Sequence, residues 1–409
     1  MPGTVLMVGA GPSQASAIRR ARELGFGVVA VDGDARAAGL AFASRAEVHD
    51  FSDLEAVVAI GRRHAVDGVL TVASDRAVPV VAAVAERLRL PGIGTEVAAR
   101  MTHKVTMRER LAAAGVPQPA FARATTHESA RAAVERIGLP LVFKPANSGG
   151  QRGLSLVESL DQLGAAVDAA RSFSPTGEVI VERFASGDEL NAILVVRSGE
   201  PTLLTLSDRL RPTGPGFGVG WIHAYPAGID EDVHAEATRV AAEAVRALGL
   251  RDGIAFPQLI VDSAGGVQLI EIAARVAAGQ MADLVRVGTG IDLIEIALRQ
   301  CTGERIADSF VTPSCSQPLA IRFFTAAPGV LPVGRVRSID GLDDVRAAPG
   351  VVQTELYFGV GEVIRPVQVD ADRLGYVLAV GKSRGEALEL AEAATTHLRV
   401  RANRDAAPP

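Results

Sequence analysis

The stretch Val142–Gly153, which reads Val-Phe-Lys-Pro-Ala-Asn-Ser-Gly-Gly-Gln-Arg-Gly, is the part of the chain from which the fold can be inferred. A short apolar segment ends at Lys144, and a glycine-rich segment follows directly. Glycine allows the backbone to turn several N–H groups towards one point without a Cβ in the way. Because the lysine adds a compact positive charge, the stretch predicts a strand and loop that bind a nucleotide polyphosphate. A purely structural strand and turn is the alternative.

Lysine is rare in this chain. Only three of its 42 basic residues are lysines, at positions 104, 144 and 382. A lysine retained among so many arginines is expected where a compact ammonium is needed, as in a tight phosphate site. Lys382 is the exception, because five residues separate Gly375 from Gly381 where a phosphate-binding loop requires four. The five residues predict a core strand, and Lys382 is expected at the surface.

The composition indicates a soluble enzyme. The 409 residues are enough for two or three domains, and a net charge of −5 without a basic run argues against binding to nucleic acid. No apolar stretch is long enough to span a membrane. Two cysteines form neither a disulfide framework nor a metal pattern, and the N-terminus lacks the layout of a signal peptide. We therefore expect a cytoplasmic protein.

The first hundred residues alternate apolar strands with helical segments, which predicts a doubly wound α/β domain. The turn Gly9–Gln14 has two of the three glycines of the dinucleotide-binding fingerprint, so it is only a weak indication of NAD binding. A role in packing or in holding a small substrate is favoured. The expected elements are strands at Thr4–Gly9, Gly27–Asp32 and Gly68–Val72 and a helix at Ser13–Leu24.

The rest of the chain predicts an α+β region followed by a small α/β domain. The segment Ser207–His223 is rich in Gly, Pro and Arg and is too long for a simple connection, which is typical of a functional loop. Residues 403–409 are expected to be disordered. The other expected elements are helices at Val105–Ala114, Asp232–Leu248 and Leu284–Gly303 and strands at Leu190–Val196, Thr202–Leu206, Ala255–Val261 and Val267–Ile272.

Gln258 and Glu271 lie at the ends of two adjacent predicted strands. They could bring two oxygen ligands to one Mg²⁺, an ion that shares its coordination shell with phosphates and water. Arg275 could neutralise a transferring phosphoryl group or an oxyanion. The alternative is a structural carboxylate–arginine pair at the edge of the core. Glu182 and Glu189 could likewise accept hydrogen bonds from adenine and ribose or simply be solvated strand ends.

The order of these features resembles the ATP-grasp superfamily, in which ATP lies between two α+β subdomains. Lys104, Lys144 with its glycine loop, the segment 182–189 and the Gln258…Glu271-x-x-x-Arg275 pattern follow one another as they do there. The resemblance implies a three-part α/β and α+β architecture that covers nearly the whole chain. Its parts are a doubly wound pre-domain (1–100), a two-subdomain grasp domain (101–311) with a mobile lid at about 115–185, and a C-terminal α/β domain (312–402).

The same resemblance implies ligands for individual residues. Glu182 would bind the adenine amine, the backbone around Phe184 the adenine ring, and Glu189 the ribose. Gln258 and Glu271 would hold Mg²⁺, with Mn²⁺ as an alternative ion. The implied nucleotide-binding residues are Lys104, Lys144, Ser148, Gly149, Gly150, Gln151, Gly153, Glu182, Arg183, Phe184 and Glu189.

Within the superfamily the chain is similar to the L-amino acid ligases, which make dipeptides. The segment 207–226 resembles the loop beside their acyl site, although Arg209 replaces a lysine and Gly220 stands where relatives often have glutamate. Residues 283–292 and 372–377 also match. The resemblance implies that His223 orients a substrate carboxylate or phosphate; an exposed loop histidine is the alternative. It also implies a small-molecule carboxylate and an amine as partners, and a homodimer.

The implied reaction is the ATP-dependent formation of an amide. A carboxylate attacks the γ-phosphate to give an acyl phosphate and ADP, and an amine then displaces phosphate, with Lys144, Arg275 and His223 as catalytic residues. Ala273 departs from the family pattern, because an asparagine usually stands there, and this leaves open whether one or two Mg²⁺ ions bind. The alternatives are a purine-pathway carboxylase-like enzyme that activates bicarbonate and a non-catalytic ATP-binding protein.

Overall fold

The N-terminal part of the protein is a parallel four-stranded sheet with helices on both faces. The computed structural model describes residues 2–211 and 218–403. The strands are β1 (Thr4–Val8), β2 (Gly27–Asp32), β3 (Arg45–Val48) and β4 (Gly68–Leu70), in the order β3-β2-β1-β4, and the helices are α1 (Pro12–Glu23), α2 (Leu54–Arg63), α3 (Val78–Leu88) and α4 (Thr95–Thr102). In β1, Leu6 and Val8 pack into one apolar core and Val5 and Met7 into another, because successive strand residues point to opposite faces. The predicted doubly wound domain is confirmed.

A small antiparallel sheet follows helix α5 (Lys104–Ala113). Its elements are β5 (Phe121–Ala124), α6 (His127–Ile137), β6 (Leu141–Pro145), β7 (Ser155–Val157), α7 (Leu163–Ser172) and β8 (Val179–Arg183), and its strand order is β5-β8-β6-β7. Phe143 and Val181 are fully buried on the face that the two helices cover. By alternation, Lys144 and Glu182 point to the opposite face, which looks towards the rest of the protein.

An eight-stranded sheet forms the centre of the molecule. Its strands are β9 (Asp188–Arg197), β10 (Glu200–Leu210), β11 (Ile222–Tyr225), β12 (Gly253–Val261), β13 (Val267–Ala273), β14 (Leu319–Phe323), β16 (Val351–Leu356) and β18 (Gly375–Val380), in the order β13-β12-β9-β10-β11-β14-β18-β16. The helices of this part are α8 (Glu231–Leu248), α9 (Met281–Thr289), α10 (Leu293–Cys301), α11 (Leu342–Ala347) and α12 (Arg384–Thr395). A fourth sheet consists of β15 (Gly334–Asp340), β17 (Val363–Ile364) and β19 (Arg399–Asn403), in the order β17-β15-β19.

In strand β9 of the large sheet, the apolar core side chains are followed by a polar side chain beside the candidate site. Leu194 and Val196 pack into the core under α8, and Ile193 and Val195 pack on the other face into the core shared with the N-terminal sheet. The next residue along this second face is Asn191, which is fully buried. A buried polar side chain at an apolar strand position marks the place where the core ends and the candidate site begins.

The prediction that Ser207–His223 is one long loop is wrong at both ends of this segment. Strand β10 continues to Leu210 and β11 begins at Ile222, and these two residues pair with each other. The Gly- and Pro-rich composition concealed this pairing. Residues 212–217 of the predicted loop lie outside the described residues.

The predicted helix Leu284–Gly303 is two helices, α9 and α10. Gly290 has a φ of +78° and ends the first, and the Asp292 carboxylate caps the second by accepting from two backbone N–H groups. The predicted disordered tail falls mainly on residues 404–409, which lie outside the described residues, whereas Asn403 ends β19.

The segment before Lys382 is the buried strand β18, as predicted, and Lys382 is exposed. Among residues 2–211 and 218–403, every helix is too short or too polar to cross a membrane.

The core of the small sheet yields a stability prediction. Phe143→Ala removes a fully buried ring and leaves a cavity, which should lower the free energy of unfolding of this unit by about 3–5 kcal/mol. Phe42, which is 40% exposed, provides the control Phe42→Ala, for which we expect a loss under about 1 kcal/mol. Urea unfolding combined with hydrogen exchange of the β6 and β8 amides measures both. Equal losses in the two variants would contradict the assigned core.

Candidate active site

A cavity of about 200 Å³ lies between the small sheet and the eight-stranded sheet. Every predicted site residue except Gly153 lines it, namely Lys104, Lys144, Ser148, Gly149, Gly150, Gln151, Glu182, Arg183, Phe184, Glu189, His223, Gln258, Glu271 and Arg275. Gly153 lies outside this lining, and its role at the nucleotide stays a prediction. A Cβ on this residue would lie 2.9 Å from the side chains of both Pro145 and Phe173, so Gly153 packs against the small sheet and its helix.

One face of the large sheet forms the floor of the cavity. Asn191 pairs with Gln258, and Gln258 pairs with Glu271, across β9, β12 and β13. Residues directly opposite each other in a ladder project from the same face, so these three polar side chains form a row. The register shifts between β12 and β13 at this point and leaves Ile270 as the extra residue of a bulge. Bulges re-aim neighbouring side chains and are frequent beside active sites.

The small sheet forms the roof of the cavity, and its residue Glu182 is a buried carboxylate with two cationic partners. Lys144 Nζ lies 2.7 Å from one of its oxygens, and Arg108 Nε lies 2.7 Å from the other. Arg108 is 1% exposed and also donates to the backbone carbonyls of Leu269 and Ile270 in the floor. Burial alone would raise the pKa of Glu182, but the two cations outweigh it and lower the pKa to about 2. The side chain is therefore ionised and links roof to floor.

The glycine loop is held over the cavity by contacts from both sides. Lys104 Nζ donates to the Ser148 carbonyl at 2.7 Å. Gln151, at a φ of +69°, donates through its side-chain amide to the Gly218 carbonyl. A Cβ on Gly149 would approach Asp75 Oδ2 to 3.0 Å, so a glycine is needed for the loop to lie this close to the N-terminal domain.

Lys104 also forms an ion pair with the predicted metal ligand Glu271, at 3.0 Å. Burial opposes the charged form of Lys104, but the carboxylates of Glu271, Asp75 and Glu182 outweigh burial and raise its pKa. Lys104 therefore stays protonated inside the cavity.

Arg275 is held by Asp75 of the N-terminal domain. Its Nε lies 2.8 Å from Asp75 Oδ1 and its Nη2 lies 3.0 Å from Oδ2, which is a two-pronged ion pair. Burial raises the pKa of Asp75, but Arg275 and Lys104 have the larger combined effect and lower it. The ion pair joins the N-terminal domain to the cavity, and Nη1 of Arg275 donates to the Val276 carbonyl at 3.5 Å.

His223 is buried in β11, which removes the alternative of an exposed loop histidine. Its Nδ1 lies 2.9 Å from the Asn191 side-chain nitrogen, and its ring meets Phe323 edge-on at 5.4 Å between centroids. Desolvation and the nearby arginines Arg373 and Arg209 hold its pKa well below the usual range. Because Asn191 donates to Nδ1, the proton of the neutral imidazole is assigned to Nε2.

The predicted ribose ligand Glu189 lies between two arginines. One carboxylate oxygen accepts from Arg209, and the other lies 3.0 Å from Arg211 Nη2. A Cβ on Gly220 would stand 2.9 Å from Arg209 Nε, so the glycine in place of glutamate makes room for Arg209. The backbone N–H of Phe184, predicted to lie at adenine, donates to the Pro140 carbonyl at 3.0 Å.

The sequence analysis assigned no site role to four residues that the structure places at or beside the cavity: Arg108, Asp75, Asn191 and Arg373. Asn191 had a signal, because it interrupts a continuous apolar strand. Arg373 lies in the segment 372–377 that resembles the L-amino acid ligases, but no role was inferred for it. Arg108 carried no signal in a chain where arginine is common, and Asp75 lies in a short 3₁₀ turn far from any motif.

Three family models match the chain. The model described as "Carbamoyl-phosphate synthase L chain, ATP binding domain" matches residues 103–309, which is half of the chain. The chain belongs to the ATP-grasp family of ligases. "ATP-grasp N-terminal domain" matches residues 18–92, and "L-amino acid ligase C-terminal domain 2" matches residues 322–403. The predicted resemblance is confirmed.

The chain is also similar to individual proteins. The uncharacterised protein y4rH of Sinorhizobium fredii is 29% identical over 355 residues, which are 83% of this chain and 70% of that protein. A D-alanine–D-alanine ligase of Desulforudis audaxviator is 34% identical over 181 residues, 42% of this chain and 57% of that enzyme. The crystal structure of an L-amino acid ligase from Bacillus licheniformis has a TM-score of 0.83 at 22% identity and covers 98% of this chain and 99% of that one. The last likeness confirms the predicted ATP-grasp fold.

ATP-grasp enzymes use ATP with Mg²⁺, and the floor of this cavity suits such an ion. The Gln258 amide and the Glu271 carboxylate stand opposite each other, and Mg²⁺ commonly binds one or two carboxylates together with substrate phosphates. The described residues hold no cluster of three or more His, Cys, Asp or Glu that could cage a metal alone. Ala273, which also lines the cavity, adds no ligand. Gln258 and Glu271 therefore fit a Mg²⁺ ion that binds together with the nucleotide.

The low pKa of Glu182 predicts a pH-dependent contribution to stability. Its pKa is about 2 in the folded state and about 4.5 when unfolded, so its stabilisation is complete above about pH 5 and is lost as the pH falls towards 2. At pH 7, Glu182→Gln should destabilise by roughly 3–5 kcal/mol, because buried cations lose their partner. As the pH falls from 6 to 3.5, the difference in free energy of unfolding between the wild type and Glu182→Gln should decrease by about 1 kcal/mol.

Urea unfolding of the wild type and Glu182→Gln across this range measures the difference. The control is Glu362→Gln, which alters an exposed carboxylate. A difference that stays constant with pH would show that Glu182 is not held in the ionised form.

Proposed function

We propose that this protein is an ATP-dependent ligase that joins a small-molecule carboxylate to an amine through an acyl phosphate, with amino acids as the substrate class. One observation carries the proposal: a second chamber, of about 660 Å³, shares Ala278, Asp370 and Arg373 with the nucleotide cavity. A ligase of this kind needs such an adjoining space, because two further substrates must meet the end of the triphosphate away from bulk water.

The second chamber has polar walls suited to small charged substrates. It lies between α1, the start of α9 and the segment before β18. Its walls include the ion pairs Arg20–Asp292 at 2.7 Å and Arg286–Asp283 at 2.8 Å. The region that matches the L-amino acid ligase domain, residues 322–403, supplies Tyr357, Asp370 and Arg373 to this chamber. That origin of the wall supports amino acids over bicarbonate.

The proposed reaction has two steps. First, an oxygen of the acid attacks the γ-phosphorus of ATP, the bond from that phosphorus to the bridging β-phosphate oxygen breaks, and acyl phosphate and ADP form. Second, the nitrogen of the amine attacks the acyl carbon, the bond between that carbon and the phosphate oxygen breaks, and an amide, inorganic phosphate and one proton are released. Catalysis of such steps is mainly positioning and charge neutralisation.

The buried cations of the cavity supply that neutralisation. Lys104 and Arg275 would face the phosphoryl oxygens, and Lys144 would bind the nucleotide from the roof. The Ser148–Gln151 loop would cover the phosphates with its backbone N–H groups and exclude water from the acyl phosphate. Gln258 and Glu271 would hold Mg²⁺, which supplies further charge neutralisation at the phosphates.

His223 would act as a hydrogen-bond donor rather than as a cation. Its pKa lies well below the usual range, so the imidazole is neutral at physiological pH and offers one N–H from Nε2. A neutral donor can orient a substrate oxygen without competing with the cations for phosphate.

The proposal predicts that ADP release depends on Lys144 and Glu271. Lys144→Ala and Glu271→Ala should each lower ADP release in the presence of an acid and an amine by at least about 100-fold, because each removes a charge at the phosphates or metal. Lys382→Ala is the matched control, since Lys382 is exposed and outside the cavity. The assay uses ATP, Mg²⁺ and a panel of amino acids, singly and in pairs, with products weighed by mass spectrometry.

The outcomes separate the alternatives. A product lighter than its two substrates by one water identifies an amide-forming ligase and its substrates. ATP turnover stimulated by bicarbonate alone would favour the carboxylase-like alternative. Bound ATP without turnover on any acid would favour a non-catalytic protein, and undiminished turnover in Lys144→Ala would contradict the assigned site.

Two finer expectations belong to the same proposal. We expect Mn²⁺ to replace Mg²⁺ with retained activity, which the same assay tests. We also expect a homodimer, which light scattering after size-exclusion chromatography measures directly; a monomer mass at micromolar concentration would contradict it.

A further inference from the structure

The cations around the nucleotide cavity differ in how closely they are paired. The closest ion pairs of Lys144, Lys104 and Arg275 measure 2.7, 3.0 and 2.8 Å. Arg373 is equally buried, with 11% of its side chain exposed, but its nearest carboxylate oxygen, on Asp370, is 3.6 Å from Nη2. Among these four buried cations, Arg373 is therefore the least neutralised.

Most of the Arg373 guanidinium is available for a ligand. Its Cζ lies 4.6 Å from the centroid of the Phe323 ring, and its Nε donates to the Asp370 carbonyl at 3.1 Å. Neither Nη1 nor Nη2 makes a hydrogen bond to any of the described residues. Burial lowers the pKa of Arg373, and Asp370 only partly compensates. A buried guanidinium with unused N–H groups is a ready site for an anion.

His223 points a second donor to the same place. Its Nδ1 is occupied by Asn191, so Nε2 carries the free N–H. The point where a Cβ would stand on Gly279 lies 3.1 Å from His223 Nε2 and 3.3 Å from Arg373 Nη1. The two donors therefore converge on the small space beside the Gly279 backbone, at the wall between the two chambers.

We propose that Arg373 and His223 together bind the carboxylate of the acceptor amino acid and thereby distinguish this acceptor from a simple amine. This inference rests on the proposed ligase function and assigns a specificity-determining role to Arg373. Two donors without a neighbouring carboxylate at hydrogen-bond distance match a planar anion, and guanidinium is the side chain best shaped for it. In an α-amino acid a single carbon separates the carboxylate from the amine, so fixing one also places the other.

The carboxylate bound here is that of the acceptor, because the acid substrate has different needs. Its carboxylate must attack the γ-phosphorus, and a guanidinium fork on the same oxygens would stabilise the ground state and slow attack. The phosphoryl end of the cavity also has its own cations, Lys104 and Arg275. Arg373 instead lines both chambers, where an incoming amine would stand.

The test uses hydroxylamine as an acceptor, so that formation of the acyl phosphate is measured independently of binding of the amino acid acceptor. Hydroxylamine carries no carboxylate and converts an acyl phosphate into a hydroxamate, with release of phosphate and a proton. We compare three acceptors for one acid: hydroxylamine, the amino acid that the wild type uses, and the amine obtained by decarboxylating that amino acid. The variants are Arg373→Met, Arg373→Lys and, as a matched control, Arg365→Met, which alters an exposed arginine of the same region.

We expect Arg373→Met to lower kcat/KM for the amino acid acceptor by about 10- to 100-fold, the usual effect of losing a charged hydrogen bond. Its rates with hydroxylamine and with the decarboxylated amine should change less than about 2-fold, which also shows that the variant is folded. Arg373→Lys should recover only part of the loss, because an ammonium lacks the fork, and Arg365→Met should match the wild type.

Two results would overturn the inference while leaving the ligase intact. One is a hydroxamate rate that falls as far as the amide rate in Arg373→Met, which would assign Arg373 to the acid or to ATP. The other is a wild type that uses the decarboxylated amine as well as the amino acid. A wild type that forms neither hydroxamate nor amide from any acid of the panel overturns the proposed function, and this inference with it.

Discussion

A buried carboxylate, Glu182, holds the two sheets of the nucleotide site in one arrangement. Lys144 from the small sheet and Arg108 from helix α5 each lie 2.7 Å from one of its oxygens. Arg108 continues into the large sheet through the carbonyls of Leu269 and Ile270. Removing one of these three side chains would leave a buried charge without a partner, which typically lowers the free energy of unfolding by about 3–5 kcal/mol. The distance between roof and floor, and with it every contact to a ligand between them, depends on this cluster.

The same principle applies to the charges that face the cavity. Lys104 is paired with Glu271, and Arg275 is paired with Asp75. In the proposed reaction the triphosphate becomes the partner of the two cations, Lys104 and Arg275. The metal ion becomes the partner of Glu271, so each of these charges exchanges one partner for another. Because these groups are already withdrawn from water, the exchange avoids burying a bare ion at the moment of binding. A site with many buried charges can therefore be stable both before and after the nucleotide enters.

The sequence predicted those parts of the site that lie within one short segment. Lys144 with its loop follows from local spacing. The pair Gln258 and Glu271 follows from two adjacent predicted strands, although Gln258 lies inside β12 and not at its end, where it was predicted. Arg108 and Asp75 could not be predicted, because their partners are 74 and 200 residues away and the pairing exists only after the sheets assemble. The failed loop prediction at Ser207–His223 has a related cause, since strand pairing with distant neighbours overrides a composition rich in glycine and proline.

The groups proposed for phosphoryl transfer and the wall proposed for substrate choice come from different parts of the chain. Lys104, Lys144 and Arg275 belong to the region that matches the ATP-binding family model, whereas Asp370 and Arg373 belong to the C-terminal region. Both regions nevertheless meet in one sheet, because β14 and β18 continue the ladder of β9–β13. The substrate wall is thus fixed relative to the phosphates by backbone hydrogen bonds rather than by a flexible linker. If the proposed roles hold, substitutions in the C-terminal region should change which acceptor is used while the groups proposed to form ADP stay in place.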